Sequence, residues 1–198
     1  MVEKLNLTMK RLTFIFALLV SILTIQAQGY VTPLNEEGVY EIKKVVVVDG
    51  VSANELYLRA LEVLSDWNGS NFKSKSQIDV QDKDAGLVVY KGKIYNGFRL
   101  YNKLIKYGWD AFSDFTLRIK CKDEKCQLTL TVPSMTFLFN GDASTETVPI
   151  DKLIPYNYKP IYNIKKVALE YTPKVYKDMT ETMDMLTKKM KTKPDDDF

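Results

Sequence analysis

Cys121 and Cys126 are the residues of this chain whose type and spacing could most directly support covalent chemistry. They bracket the four residues 122–125, so they are predicted to face each other across a tight hairpin. In an oxidising compartment this arrangement favours a structural disulfide. The short loop limits the gain to less than the roughly 3 kcal/mol of a 15-residue loop. Two inert buried thiols are the alternative, and the C-x4-C spacing is not the C-x-x-C of oxidoreductases.

Three carboxylates, Asp79, Asp82 and Asp84, precede Gly86 and give this segment some likeness to a calcium-binding loop. Lys93 occupies the position where an EF-hand needs its final acid, and an Asp-rich hairpin turn explains the same residues. We therefore predict no metal site and no cofactor. A hydrolase built on these carboxylates would need two of them to converge in one pocket with separated pKa values.

The chain contains no histidine. This excludes Ser-His-Asp and Cys-His nucleophilic arrangements and every zinc site that uses histidine. With no other catalytic constellation in the sequence, we predict that the protein is not an enzyme.

A polar sheet face is the first candidate binding surface. Around residues 122–125, apolar residues (Phe115, Leu117, Ile119, Cys121, Cys126, Leu128, Leu130, Val132) alternate with polar ones (Thr116, Arg118, Lys120, Gln127, Thr129, Thr131). This period of two is typical of an antiparallel sheet that is covered on one side only. Thr116, Arg118 and Thr129 are our candidate contact residues, and an ordinary solvated face is the alternative.

A proline-containing loop over residues 140–162 is the second candidate surface. Tyr156 and Tyr158 are its candidate binding residues, in a series continued by Tyr162 and Tyr171. Tyrosine offers a large amphipathic face for a ligand, but such residues equally pack a loop against its domain.

The elements that must position these residues follow in the order β-α-β-β-β-β-α. Residues 40–48 form a valine-rich strand, and Ser52 with Glu55 is the capping box of the first helix. Residues 77–81 and 87–95 are strands around an Asp-rich turn. Residues 96–111 are a longer connection that could hold a short helix.

The last helix is predicted over residues 172–193, with Thr172 as its cap and Pro173 in its first position. Its methionine-rich stripe is expected in the core, and an adaptable partner surface is the alternative. The predicted class is α+β, in two layers: an antiparallel sheet of four to five strands with two helices packed on one face. One domain spans residues 40–193, with its core at 40–137, between an irregular leader at 28–39 and an acidic tail at 194–198.

Several segments carry a family resemblance: VSANELY at residues 51–57, DKDAGLV at 82–88, FTLRI at 115–119, LTLT at 128–131, and the closing Lys-rich helix. They resemble a family of exported bacterial proteins known only as a domain of unknown function with a TATA-binding-protein-like fold. The resemblance covers residues 40–137 and implies half of a saddle, with antiparallel strands backed by helices. It implies no activity, ligand or catalytic residue, and the DNA-binding role of the namesake does not follow from the fold.

The first 27 residues predict export. A 14-residue apolar run at residues 12–25 follows Lys10 and Arg11 and ends near Ala27, which is the pattern of a cleavable secretory signal. A membrane-spanning helix would need about 20 apolar residues; a permanent N-terminal anchor is the alternative. The expected location is periplasmic, at the outer surface or secreted, with no membrane span after cleavage.

The charge balance gives no reason to expect a nucleic-acid partner. The whole chain carries a net charge of +3, and removing the three basic and one acidic residue of segment 1–27 leaves +1. The leading hypothesis is a non-enzymatic exported binding module for an unknown ligand. The alternative is a structural or assembly component of the cell envelope that contacts envelope proteins.

Overall fold

The computed structural model describes residues 34–70, 77–102, 107–140, 143–153 and 165–192. All of these residues lie within the unit of residues 33–198. The predicted export signal, Tyr156, Tyr158, Tyr162 and the acidic tail lie outside the described residues. No described helix is long and apolar enough to cross a membrane.

Six strands and three helices follow one another along the described chain. They are β1 (Tyr40–Val47), α1 (Ala53–Ser70), β2 (Gln77–Asp82), β3 (Leu87–Asn102), β4 (Tyr107–Lys122), β5 (Lys125–Phe139), β6 (Thr145–Pro149), α2 (Ile150–Leu153) and α3 (Lys165–Lys191). All strand pairs are antiparallel, in the order β1-β5-β4-β3-β2, and β6 pairs with the part of β5 that lies beyond β1. The α+β class and the antiparallel sheet are confirmed, with six described strands in place of four or five.

Both long helices lie on the same face of the sheet, which we call the inner face. The ladder aligns Leu117 with Leu130 and Ile119 with Leu128, and all four side chains are fully buried. Leu56 of α1 and Met179 of α3 are also fully buried. The sequence alternation correctly predicts this face because side chains along a strand point to opposite sides in turn.

The first helix begins where its cap predicts. The Ser52 Oγ accepts a hydrogen bond from the backbone N–H of Glu55 at 3.2 Å. Asp123, in the turn between β4 and β5, accepts one from the Ala53 N–H at 2.8 Å. Two otherwise unpaired donors at the helix start are thereby satisfied, and the helix is tied to the β4–β5 hairpin.

The predicted connection over residues 96–111 is wrong, because strands β3 and β4 continue through most of it. A bulge between Tyr95 and Gly97 shifts the register, so the period-two pattern changes phase and is hard to recognise in the sequence. Gly97 has a φ of 147°, and a Cβ there would lie 2.3 Å from the ring of Tyr171. The glycine lets α3 approach β3 closely, and the Tyr171 hydroxyl donates to the Phe98 carbonyl at 2.9 Å.

The predicted start of the last helix is also wrong. The helix begins at Lys165, so Pro173 lies inside it, and Thr172 is buried with its Oγ1 3.5 Å from the Sδ of Met135. Pro costs a helix interior roughly 3 kcal/mol. Burial of Val167, Ala168 and Tyr171 on the added turns offsets that cost.

The segment predicted as a loop over residues 140–162 contains both β6 and α2. Pro149, one of the prolines of the predicted loop, is the last residue of β6, and the end of a strand at the side of a sheet tolerates proline. The buried side chains of Val148, Ile150 and Leu153 join this segment to the core.

Candidate functional site

The sheet face opposite the helices, here called the outer face, carries the predicted contact residues. Thr116 aligns with Thr131, and Arg118 aligns with Thr129 on the neighbouring strand. Thr116, Arg118 and Thr129 therefore form one continuous surface, as the alternation predicted. Tyr156 and Tyr158 lie outside the described residues, so the structure does not bring them to this surface.

One end of the outer face is rich in cations. Arg118, Lys120, Lys122 and Lys125 all point outward at the end of the sheet formed by the β4–β5 turn, and all four are exposed. We call these four residues the basic end. None of them forms an ion pair with another described residue.

A groove of about 280 Å³ runs over the basic end, lined by Val45, Lys120, Lys122, Lys125 and Gln127. No carboxylate is among these lining residues. Val45 is 60% exposed and Val47, one row further along β1, is 56% exposed. The groove thus combines ammonium groups, an amide and uncovered aliphatic side chains.

The acidic residues nearest in sequence to these lysines form hydrogen bonds with backbone groups at the start of α1. Asp123 accepts from the Ala53 N–H, and Glu124 accepts from the Gly50 N–H at 3.2 Å. The Glu124 N–H also donates to the Val51 carbonyl at 2.8 Å. The turn between β4 and β5 therefore directs its carboxylates at the start of α1, which leaves the cations of the outer face without these partners.

The middle of the outer face is different. Asp114 pairs with Lys93 and accepts hydrogen bonds at 2.8 Å from the hydroxyls of Ser134 and Thr136. Lys93 also donates to Thr136 at 2.8 Å, and Thr136 lies 3.0 Å from the Thr147 hydroxyl on β6. We call these five residues the central network. It joins four strands and satisfies its charges internally.

The cysteines face each other on the inner side of the same hairpin. Cys121 donates its N–H to the Gly86 carbonyl at 2.7 Å, away from β5, so its pairing with Cys126 is of the non-hydrogen-bonded type. Such pairs bring Cα atoms to about 4.5 Å, within the range of about 4.4–6.8 Å for disulfides. Both cysteines are buried, and no disulfide bond joins them in the structure. The disulfide stays a prediction.

The pKa values of the two thiols shift in opposite directions. A hydrogen bond between them lowers the pKa of Cys121 and, together with burial, raises the pKa of Cys126. The positive charge of Arg59, which is 5% exposed, opposes the rise at Cys126. Burial shields both sulfurs from solvent, as expected for a structural disulfide and for inert thiols alike.

The aspartates of the acidic turn interact with neighbouring groups of the same hairpin. Asp79 pairs with Lys91 at 2.8 Å, and Asp82 accepts from the Ala85 N–H at 2.9 Å within the turn. Within the described ranges, no group of three or more acidic or cysteine side chains is arranged to hold a metal ion. These aspartates shape a hairpin and pair with a neighbouring lysine.

A second groove, of about 430 Å³, lies beside α3 and was not anticipated from the sequence. Asp178 and Glu181 line it with Trp67, Ile94, Tyr95, Thr182 and Met185. Burial raises the pKa of Asp178, and the Asn96 side chain, which donates to it at 2.7 Å, opposes that rise. Burial and a hydrogen bond to Asp110 raise the pKa of Tyr95 to about 12. Trp67 is buried against Tyr90 and Phe115, so it acts as core and leaves little aromatic surface for a ligand.

The aromatic and methionine candidates of the sequence pack into the core where they are described. Tyr171 lies on α3 and is buried, and Met179, Met183 and Met190 of the same helix are fully buried. Packing, rather than partner binding, is therefore the role of these residues.

Comparison with known proteins agrees with this architecture. Residues 43–136 match a family described as a domain of unknown function (DUF4468) with TBP-like fold. The matched stretch is 94 of the 198 residues, and over it the chain is similar to that family. No curated protein matches the chain significantly.

Two crystal structures share the fold of the chain. A DUF4468 family protein from Bacteroides ovatus is 17% identical, with a TM-score of 0.57, covering 86% of this chain and 96% of its own. A TBP-like protein from Parabacteroides distasonis is 12% identical, with a TM-score of 0.53, covering 79% of this chain and 96% of its own. At such identities the likeness establishes the fold and no function.

Sequence reasoning missed Lys122, Lys125 and Val45 as members of the candidate surface. Lys122 and Lys125 were assigned to the turn, although continuing the period of two from Arg118 and Lys120 places Lys122 on the outer face. Val45 had no such signal, because its place beside Gln127 depends on the pairing of β1 with β5, some 80 residues apart in the sequence.

Proposed function

We propose that this protein is a non-enzymatic, exported binding module whose contact surface is the outer face of the sheet. The observation that carries the proposal is the basic end: four exposed cations share one face without an ion-pair partner among the described residues. A surface of like charges costs stability, and a ligand of opposite charge would remove that cost. Export is supported by the N-terminal sequence pattern alone.

The non-enzymatic part of the proposal rests on how the described polar groups are used. The carboxylates of the acidic turn pair with a lysine or hold the turn, and Asp114 is saturated by its network. Asp178 and Glu181 share the groove beside α3, and Asp178 accepts a hydrogen bond from Asn96. A substrate-dependent activity that Asp178→Asn abolishes would overturn this part.

Thermal unfolding against a panel of glycans, peptides, anionic lipids and ions tests the binding module. A ligand at 100 times its Kd adds about 2.7 kcal/mol to the free energy of unfolding, a shift in Tm of roughly 5–10 °C for a chain of this size. Arg118→Gln should reduce the shift, and Lys188→Gln, an equal charge change on exposed α3, should leave it unaltered. A panel without any shift dependent on Arg118 would remove the support for this surface.

A second candidate function, an assembly component of the cell envelope, is favoured by the open edge of β1. The Val48 N–H donates a hydrogen bond to the Glu124 carbonyl. By the alternation of a strand, the backbone N–H and C=O groups of the even-numbered residues of β1 therefore point toward β5. The backbone groups of Lys43, Val45 and Val47 then face away from the sheet, where another strand could pair with them.

The edge can be tested with Val45→Pro, which removes an outward N–H without breaking a ladder bond. Under the assembly function, cross-linking in the cell envelope gives a larger species that this variant loses and Val45→Thr retains. A free monomer for the unaltered protein would exclude this second function.

A further inference from the structure

We propose that the basic end docks on the phosphate headgroups of an anionic lipid surface. This inference rests on the proposed function, because it names the ligand of the same outer face. It begins from the groove lined by Lys120, Lys122 and Lys125, in which three ammonium groups from two adjacent strands face the same side. Arg118 extends this line of positive charge by one row.

Charge complementarity requires an anionic occupant. Lys122 and Lys125 lie directly opposite each other on β4 and β5, an arrangement in which like charges repel. The adjoining acids, Asp123 and Glu124, accept hydrogen bonds from the backbone at the start of α1, and among the described ion pairs neither is a partner of these lysines. Headgroup phosphates would supply the missing negative charge while the lysines keep their solvent-facing geometry.

The exposed valines select a lipid surface over other polyanions. Val45 and Val47 lie on β1 opposite Gln127 and Lys125, and their side chains are 60% and 56% exposed. The interface of a bilayer accepts cations at its phosphates and aliphatic groups just below them. The phosphate backbone of a nucleic acid offers no apolar partner at that position. The broad groove also has no enclosing wall of the kind that would hold a single free phosphate.

The overall charge hides this surface because acids and bases are segregated. The chain without its first 27 residues is close to neutral, yet acids on α3 such as Asp178, Glu181 and Asp184 lie on the other side of the sheet. Asp82, the last residue of β2, and Asp84, in the turn before β3, lie at the same end of the sheet on its far strands. A near-neutral chain can therefore present one cationic face to a membrane.

Vesicle binding of the protein, as recovered from the producing cell, tests the proposal. The probes are phosphatidylcholine vesicles with and without phosphatidylglycerol. The triple variant K120Q/K122Q/K125Q should lower partitioning to the anionic vesicles on the order of 100-fold, since each lysine near such a surface contributes about 1 kcal/mol. The control K152Q/K177Q/K188Q makes the same charge change away from the outer face and should stay within a few-fold of the unaltered protein. V45T/V47T should give a smaller loss.

Several outcomes would overturn the lipid proposal. These are equal binding to both kinds of vesicle, equal losses in the two triple variants, full competition by millimolar inorganic phosphate, or equally lysine-dependent binding to duplex DNA. All variants share the same N-terminal segment, so its own affinity for lipid cancels in the comparison. A panel ligand whose thermal shift depends on Arg118 would preserve the binding module even if the vesicles fail.

Discussion

The central network and the basic end lie on the same face of the same strands, about three rows apart, and differ in how their charges are balanced. In the central network Lys93 meets Asp114, and the hydroxyls of Ser134 and Thr136 complete the coordination of the carboxylate. In the basic end, Lys122 lies opposite Lys125 on the neighbouring strand, so two positive charges face each other. A partly buried network that satisfies itself contributes to stability. A row of cations without ion-pair partners among the described residues does not, and this is why the proposed binding surface is placed there.

The largest expected effect comes from breaking the central network. Asp114→Ala should lower the free energy of unfolding by about 2–3 kcal/mol, because a charged acceptor is lost from three donors at once. Arg118→Ala, on the same strand and face, should change it by less than about 0.5 kcal/mol. Urea unfolding measures both. Similar values for the two variants would show that the centre and the end of this face are not energetically distinct.

Oxidation of the cysteine pair should have the second-largest effect on stability. Cys121 and Cys126 are the pair next to Lys122 and Lys125 in the β4–β5 hairpin. A disulfide closing so short a loop should add about 2 kcal/mol at most. Thermal unfolding with and without reductant measures the gain, and the mass of the intact chain reports the loss of two hydrogens. C121S/C126S should show no response to reductant. A protein that stays reduced under oxidising conditions would leave inert thiols as the correct alternative.

Repulsion within the basic end predicts a stabilising substitution. Lys122→Glu should form a cross-strand ion pair with Lys125 and raise the free energy of unfolding by about 0.5–1 kcal/mol. Lys122→Gln, which only removes repulsion, should give a smaller gain. Both substitutions should weaken vesicle binding, so stability and binding move in opposite directions. A destabilised Lys122→Glu protein would mean that the two lysines do not repel each other in the folded state.

The same contrast explains how much of the site the sequence could predict. Alternation from Phe115 to Val132 predicted which side chains share each face, because that information lies within two adjacent strands joined by a short turn. It placed Thr116, Arg118 and Thr129 together correctly. The central network was not predicted, since it joins β3, β4, β5 and β6 across bulges whose positions the sequence pattern does not announce.

The errors in the fold have the same origin. The predicted connection over residues 96–111 included Gly97, and the predicted last helix began with Thr172 as its cap and Pro173 in its first position. In the structure Gly97 permits close contact with Tyr171, and the buried residues on either side of Pro173 hold the helix together. Local propensity is a weak guide where tertiary packing opposes it. Packing between α3 and β3, far apart in the sequence, decided both elements.

The smallest expected effect tests a carboxylate that resembles neither region. Asp178 is half-buried in the groove beside α3, and burial raises its pKa above the usual value of about 3.9. The folded state therefore holds this proton more tightly than the unfolded chain, and stability falls as the pH rises from the unfolded pKa through the folded one. Asp178→Asn should consequently be slightly more stable than the unaltered protein at pH 7, with the difference vanishing near pH 3. Asp184→Asn, on the same helix as Asp178, removes an ion pair with Lys44 of β1 and should show no such gain. Urea unfolding of the three proteins between pH 3 and pH 7 measures these differences in the free energy of unfolding. An Asp178→Asn protein that is less stable at pH 7 would mean that the hydrogen bond from Asn96 stabilises the charged carboxylate more than burial destabilises it.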